Sequence, residues 1–220
     1  MKKNMRKSTA AALCLALSFA AWTALVCLVD VQPIGPRASS VGLATLNGAF
    51  HALTGVHMQL YTVTDWLGLV PIGVALAFAI LGLVQWIGRK SLRSVDRGLL
   101  ALGVFYLMVI GAYILFEYVV INRRPVLIDG YLEASYPSST TLLVTCVMPT
   151  AWMQLRDRMK RTCPFWCVSV VLWGFTLFMV VGRLVSGVHW LSDIVGGLLL
   201  SGALLVLYIR MVYGANERNR

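Results

Sequence analysis

His189 and Asp193 stand four residues apart, a spacing that puts both side chains on one face of a helix. A carboxylate beside an imidazole fixes the ring tautomer and supports the positive charge the ring acquires, so the far nitrogen is free to act as a nucleophile. Arg183 precedes His189 by six residues and offers a planar fork matched to a phosphate. A second guanidinium, Arg124, lies in Asn122-Arg123-Arg124-Pro125, with Pro125 stiffening the chain after it. Between these stretches runs Tyr136-Pro137-Ser138-Ser139-Thr140. Proline suits the first turn of a helix, and the small hydroxyl residues after it leave backbone N–H groups uncovered, an arrangement that binds anions. Taken singly, each stretch also has a plainer reading: a buried His–Asp pair joining two spans, or a helix cap of Ser and Thr. Taken together, two arginines, a helix start and an oriented histidine describe an oxyanion site with a nucleophile, the parts that phosphoryl transfer needs.

The elements that position these residues are membrane spans. Of 220 residues, 59% are hydrophobic and 13% charged, against about a quarter charged in a soluble domain. A chain this short cannot hide so much apolar surface in an aqueous core. Six apolar runs can be marked: Ser8–Val29, Leu67–Ile87, Leu99–Ile121, Ser138–Leu155, Phe165–Val185 and Trp190–Val212. Each approaches the roughly 20 residues a helix needs to cross a bilayer. The expected fold is therefore all-α: six transmembrane helices in one bundle, a single membrane-embedded domain over residues 1–220. The first run follows Lys2, Lys3, Arg6 and Lys7, as a signal peptide would, but its length and the five runs after it mark a retained helix.

Orientation follows from the basic residues. The N-terminus holds those four, the second connection Arg89, Lys90, Arg93 and Arg97, the fourth Arg156, Arg158, Lys160 and Arg161, and the C-terminal end Arg210, Arg218 and Arg220. These fifteen of nineteen Lys and Arg fall on one side, which the rule makes the cytoplasm, with both termini there. The net charge of +10 is thus topology, dispersed between apolar runs, and not a nucleic-acid footprint. Left over are Arg37, Arg123, Arg124 and Arg183 in the outer half, where a cation needs a partner or a task. The five cysteines sit mostly within apolar runs with no Cys-x-x-Cys, so neither a disulfide framework nor a zinc site is indicated.

The first outer connection, about Val31 to Trp66, is long for a structureless loop. Leu43, Leu46, Phe50 and Leu53 recur in it at three- and four-residue steps, which predicts an amphipathic helix on the outer interface or across the bundle mouth. His51 and His57 lie in this segment and read as hydrogen-bonded or solvated structural histidines.

On these three stretches the chain resembles the type 2 phosphatidic acid phosphatase superfamily of membrane lipid phosphatases. The family carries Lys-x6-Arg-Pro, Pro-Ser-Gly-His and Ser-Arg-x5-His-x3-Asp. Here the stretches read Glu117-x6-Arg124-Pro125, Pro137-Ser138-Ser139-Thr140 and Gly182-Arg183-x5-His189-x3-Asp193. The resemblance implies that His189 forms a phosphohistidine and Asp193 orients it. It implies that Arg124 and Arg183 bind the phosphate with backbone donors around Ser138, Ser139 and Thr140, and that no metal is required. The substrates it implies are phosphorylated lipids of the bilayer, including undecaprenyl pyrophosphate, hydrolysed on the outer side of the cell membrane. Two departures carry weight. Glu117 stands where the family has a phosphate-binding Lys, and pairs with Arg123 or Arg124, turns away, or repels. Thr140 stands where the family has the His that protonates the leaving group. A lipid alkoxide needs that proton, whereas phosphate leaving a pyrophosphate is weakly basic, with a second pKa of about 6. A site without the acid is therefore expected to favour a polyprenyl pyrophosphate over phosphatidic acid. The same two losses suit a pseudoenzyme that binds, senses or moves phosphorylated lipids without hydrolysing them. The retained His–Asp pair favours the enzyme.

Overall fold

Apolar runs interrupted by short charged connections fold here as helices throughout. The computed structural model describes residues 2–218, with side chains described from 9 to 213. Its α-helices are α1 (Lys2–Leu28), α2 (Ala44–Thr54), α3 (Met58–Leu67), α4 (Leu69–Arg89), α5 (Arg97–Tyr118), α6 (Ser139–Arg156), α7 (Cys163–Val185) and α8 (Leu191–Arg218). Among the described residues there is no β-strand, only isolated bridges.

Five segments are long and apolar enough to cross a membrane: Thr9–Leu28, Met58–Arg89, Arg97–Tyr118, Cys163–Val185 and Leu191–Tyr213. The second joins α3 to α4 through Gly68, whose backbone stays helical (φ −59°, ψ −19°). The outward faces are apolar, with Leu76, Leu107, Val170 and Leu177 each more than half exposed. In water that would be costly; in hydrocarbon it is the favourable arrangement.

Helix α6 is the exception and the centre. It holds Thr141, Thr145, Thr150, Gln154 and Pro149, too polar a set to face lipid, and almost everything from Thr141 to Ala151 is buried. Its neighbours are other helices, so its polar groups are satisfied inside the protein. The hydroxyls of Thr145 and Thr150 donate back to the carbonyls of Thr141 (2.5 Å) and Cys146 (2.8 Å). The Gln154 amide donates to the Gly98 carbonyl at 3.0 Å and the Tyr208 hydroxyl at 2.6 Å. Around it, Leu102, Phe105 and Val109 of α5, Leu142 and Cys146 of α6 and Tyr208 of α8 form one buried cluster. Val144, Met148 and Met179 form another against α7.

Two sequence expectations change in detail. The second apolar run, expected at Leu67–Ile87, is part of a longer apolar segment, Met58–Arg89, because α3 runs into α4 through Gly68. The third span ends at Tyr118, not Ile121: Val119 leaves helical geometry (φ −91°, ψ 81°), and the β-branched run Val119-Val120-Ile121 continues extended. Helix α2 forms where the periodicity places it, and its inward face is the polar one. Leu46 and Leu53 point outward, 46% and 82% exposed, while Asn47 is fully buried. The inward turn is dictated by hydrogen bonding, because Asn47 ties α2 to the start of α8. Its side-chain oxygen accepts from Ser192 N (3.0 Å) and its amide donates to Ser192 Oγ (2.9 Å) and to the Gly42 carbonyl (2.7 Å).

Candidate active site

The connection between α7 and α8 is only five residues, Ser186 to Trp190, so Arg183, His189 and Asp193 are held by two helix ends. Gly187 makes the turn at φ +70°, and a Cβ there would lie 2.0 Å from the Gly55 carbonyl oxygen. Only glycine fits both demands. The loop is pinned across this approach, with His57 N donating to the Ser186 carbonyl at 2.9 Å and His51 Nε2 3.1 Å from the Gly187 carbonyl. His51 also packs on the Trp190 ring at 5.4 Å, and His57 Nε2 sits 2.9 Å from the Thr54 carbonyl. Both are structural histidines, as expected.

Asp193 is fully buried in the first turn of α8, and both its oxygens are occupied. Oδ2 accepts from Trp190 N at 2.9 Å and from the Ser135 hydroxyl. Oδ1 accepts from the Asn122 amide at 3.4 Å and the Ser192 hydroxyl at 3.4 Å. The carboxylate does not reach His189 directly: Oδ2 is 3.7 Å from Nδ1, beyond hydrogen-bond range. Ser135 fills the gap, its Oγ 3.2 Å from His189 Nδ1. Because the serine proton goes to Asp193, its oxygen accepts from Nδ1–H. That assignment leaves the lone pair on Nε2, the tautomer a nucleophile needs. His189 Nε2 is buried and meets no protein partner among the described residues.

The two arginines share one aromatic ring. Arg183 stacks on Tyr61 at 4.9 Å and Arg124 at 5.8 Å. The Arg183 side chain is 2% exposed and donates through Nη2 to Asp65 at 2.9 Å and to Thr140 Oγ1 at 2.6 Å. Its Nε and Nη1 remain without partners. Arg124 Nε lies 3.0 Å from Glu133 Oε2, close enough for charge pairing though off the hydrogen-bond line, and its Nη1 has no partner. Buried donors in that condition are rare and costly, and here they accompany a free imidazole nitrogen. Chemically, the arrangement suits an anion placed beside an imidazole lone pair. Arg123 faces away, donating to the Leu132 carbonyl at 2.8 Å.

Arg124, Ser135, Ser139 and His189 open onto a cavity of about 210 Å³. Of the α6 start, Ser138 is committed elsewhere: its N–H donates to the Asp193 carbonyl (3.0 Å) and its Oγ caps Thr141 N (3.4 Å). The N–H groups of Ser139 and Thr140, in the first turn, have no intrahelical acceptor and remain for an anion. Glu117 lines the same cavity, and no ion pair joins it to Arg123 or Arg124; Arg124 answers Glu133 instead.

Ser135, Tyr61 and Asp65 escape the sequence reading. Tyr61 and Asp65 are four apart and share the inner face of α3. The available signal was charge balance: a buried arginine in the outer half requires a counter-ion, and Asp65 is an acid beside an apolar run. Ser135 carries no signal beyond a hydroxyl two residues before Pro137.

Burial pushes the His189 imidazole down from 6.5 to about 4; the Asp193 carboxylate opposes this, and the Arg124 and Arg183 charges add to it. The folded protein therefore binds fewer protons at this ring than the unfolded chain between those two values, so stability from this group rises with pH through that window and is complete above it. His189 is expected to be neutral through pH 5–8. A histidine ring NMR titration in detergent, assigned with His189→Gln, checks this. A midpoint at or above the ordinary value would show that Asp193 outweighs burial.

The family model described as the PAP2 superfamily matches residues 7–217. Among solved structures, the chain resembles a transmembrane PAP2 type phosphatidylglycerolphosphate phosphatase from Bacillus subtilis, at 21% identity, TM-score 0.53, covering 96% of this chain and 98% of that one. No curated protein matches by sequence.

Proposed function

The chain belongs to the PAP2 superfamily, and from that premise we propose that it is a membrane phosphatase that cleaves a lipid phosphate or polyprenyl pyrophosphate through a phosphohistidine on His189. The observation that carries this reading is the buried, unpartnered Nε2 of His189, with Nδ1 tied through Ser135 to Asp193, beside the free donors of Arg124 and Arg183.

In the proposed reaction the phosphoryl oxygens sit on Arg183 Nε and Nη1, Arg124 Nη1 and the N–H groups at the start of α6. His189 Nε2 attacks phosphorus in line with the ester oxygen. As the ring becomes cationic, its Nδ1–H bond to Ser135 strengthens, and Asp193 stabilises the charge through that hydroxyl. Water then cleaves the phosphorus–nitrogen bond and returns the neutral ring. Thr140 supplies no proton: its oxygen accepts from Arg183, and a hydroxyl is no acid near neutral pH. Leaving groups that tolerate the loss, such as the phosphate of a pyrophosphate, are favoured on that ground.

We take α6 as a sixth crossing, shielded from lipid by its neighbours. By the distribution of basic residues, both termini are cytoplasmic and the site faces outward, with α2 along the outer interface, its Leu46 and Leu53 in lipid.

The test is phosphate release by the purified protein in detergent from phosphatidic acid and from undecaprenyl pyrophosphate. Release from either supports the enzyme. None from either, with the protein shown to be folded, would leave a lipid-phosphate binder, the reading to which the loss of the acid and the lysine also points.

A further inference from the structure

A second cavity lies at the end of the bundle away from the candidate active site. Helix α5 has 22 residues, so its ends stand roughly 33 Å apart. Its last turns line the cavity beside His189, whereas its first turns line a groove of about 300 Å³ shared with α4. That is the size at which ligand pockets begin, about 300 Å³. Gly82 and Trp86 of α4, Gly103 and Tyr106 of α5, and Leu92 and Val95 of the connection between the two helices all line it. Trp86 and Leu92 are 48% and 55% exposed. A Cβ at Gly82 or Gly103 would meet nothing within 4 Å, so neither glycine serves the close helix approach for which membrane helices use small residues. Each leaves room in the groove where a side chain would otherwise stand.

The same connection carries Arg89, Lys90, Arg93 and Arg97 against a single acid, Asp96. Asp96 is already answered, by Arg89 at 3.1 Å and Arg158 at 3.5 Å, and its carboxylate accepts from the Gln85 amide at 2.8 Å. Lys90, Arg93 and Arg97 are exposed, and among the described residues no ion pair engages them. Membrane topology accounts for the side on which these charges lie. It does not account for an apolar groove lined by Leu92 and Val95, the residues that stand between them. A second copy of the chain fits poorly there, because a two-fold contact sets the same patch of each copy face to face and would oppose like cations. An anionic lipid carries the complementary charge, and basic pockets between transmembrane helices hold such head groups.

We infer that the groove between α4 and α5 is a binding site for an anionic phospholipid. One acyl chain lies along Gly82 and Gly103, and the head-group phosphate lies against Lys90, Arg93 and Arg97. Neither part suffices alone: the cations select the charge of the head group, and the groove fixes where the chain sits. The site is separate from the phosphatase reading and does not rest on it.

The experiment is native mass spectrometry of the purified full chain, released from detergent with phosphatidylglycerol or with phosphatidylcholine of identical acyl chains. Both lipids are phosphodiesters, so neither is a substrate of the reaction proposed above. The wild type should retain one phosphatidylglycerol, favoured about fivefold or more over phosphatidylcholine, the effect of about one basic residue at a membrane surface. Lys90→Gln combined with Arg93→Gln should shrink that ratio to within about twofold. Gly82→Leu, or Gly103→Leu as a second groove-filling variant, should remove the retained lipid of either kind. The cations are exposed and both glycines have space beside them, so all these variants should fold, which thermal unfolding in detergent checks. Equal retention of the two lipids by the wild type, or a preference that survives the double substitution, overturns the inference. Retention that survives both groove-filling variants overturns it too, as does a dimer that Gly82→Leu breaks, which would put a second copy in the groove.

Discussion

Replacing His189 by Ala is expected to reduce phosphate release by about 10⁴-fold or more, the scale on which enzymes lose activity with their nucleophile. The argument rests on position. The ring is buried, its Nδ1 is committed to Ser135, and its Nε2 is the one ring nitrogen facing the cavity. Two other lining groups are otherwise engaged: Ser135 Oγ is held between His189 Nδ1 and Asp193 Oδ2, and Glu133 is paired with Arg124. His51 cannot substitute, since it is bound to the Gly187 carbonyl. The control for folding is thermal unfolding in detergent alongside the wild type. Residual turnover within about tenfold of wild type, in folded protein, would mean that another group attacks phosphorus.

Arg183→Leu is expected to cost about 10²–10³-fold in kcat/KM, the range seen when one oriented oxyanion donor is removed. Arg183 presents two free N–H groups from a side chain that is 2% exposed and fixed on three sides by Asp65, Thr140 and Tyr61. A fork so constrained loses nothing to reorganisation when charge develops on the phosphoryl oxygens. Arg183→Lys keeps the charge but cannot make the bidentate contact, so it should recover only part of the loss. Asp65, which would lose its partner, is 55% exposed in its side chain and can be solvated, so the fold should survive. Inhibition by inorganic phosphate should weaken in parallel with catalysis. A variant that loses catalysis but binds phosphate as before would place Arg183 in support of the loop and not on the substrate.

Much of this architecture was legible in the chain because lipid is an unforgiving solvent. Long apolar runs locate most of the helices to within a few residues, though the segment Met58–Arg89 begins well before the expected Leu67. His189 with Asp193, and Arg183 with Arg124, could be paired because intramembrane charge requires a reason. What escaped depends on tertiary approach. Ser135 matters only because the 122–135 hairpin delivers its hydroxyl between His189 and Asp193, with Ser135 N donating to the Asn122 carbonyl at 2.9 Å. Tyr61 and Asp65 belong to a segment whose apolar character hid their inward face. Which face of α2 turns inward was left open, because periodicity shows only that two faces differ, and in a membrane the apolar one can belong outside. Ser138 was expected among the phosphate ligands, yet its N–H is given to the Asp193 carbonyl; a cap and a substrate donor look alike in sequence.

The account stands on one covalent species. The measurement that tests it most directly is a rapid quench into alkali, within a single turnover of phosphatidic acid labelled in its phosphate, followed by peptide mapping. The account predicts an acid-labile, base-stable phosphoryl group on His189 that forms before phosphate is released and is absent in His189→Ala. Steady phosphate release with no label on the chain, or label that persists when His189 is gone, would contradict it.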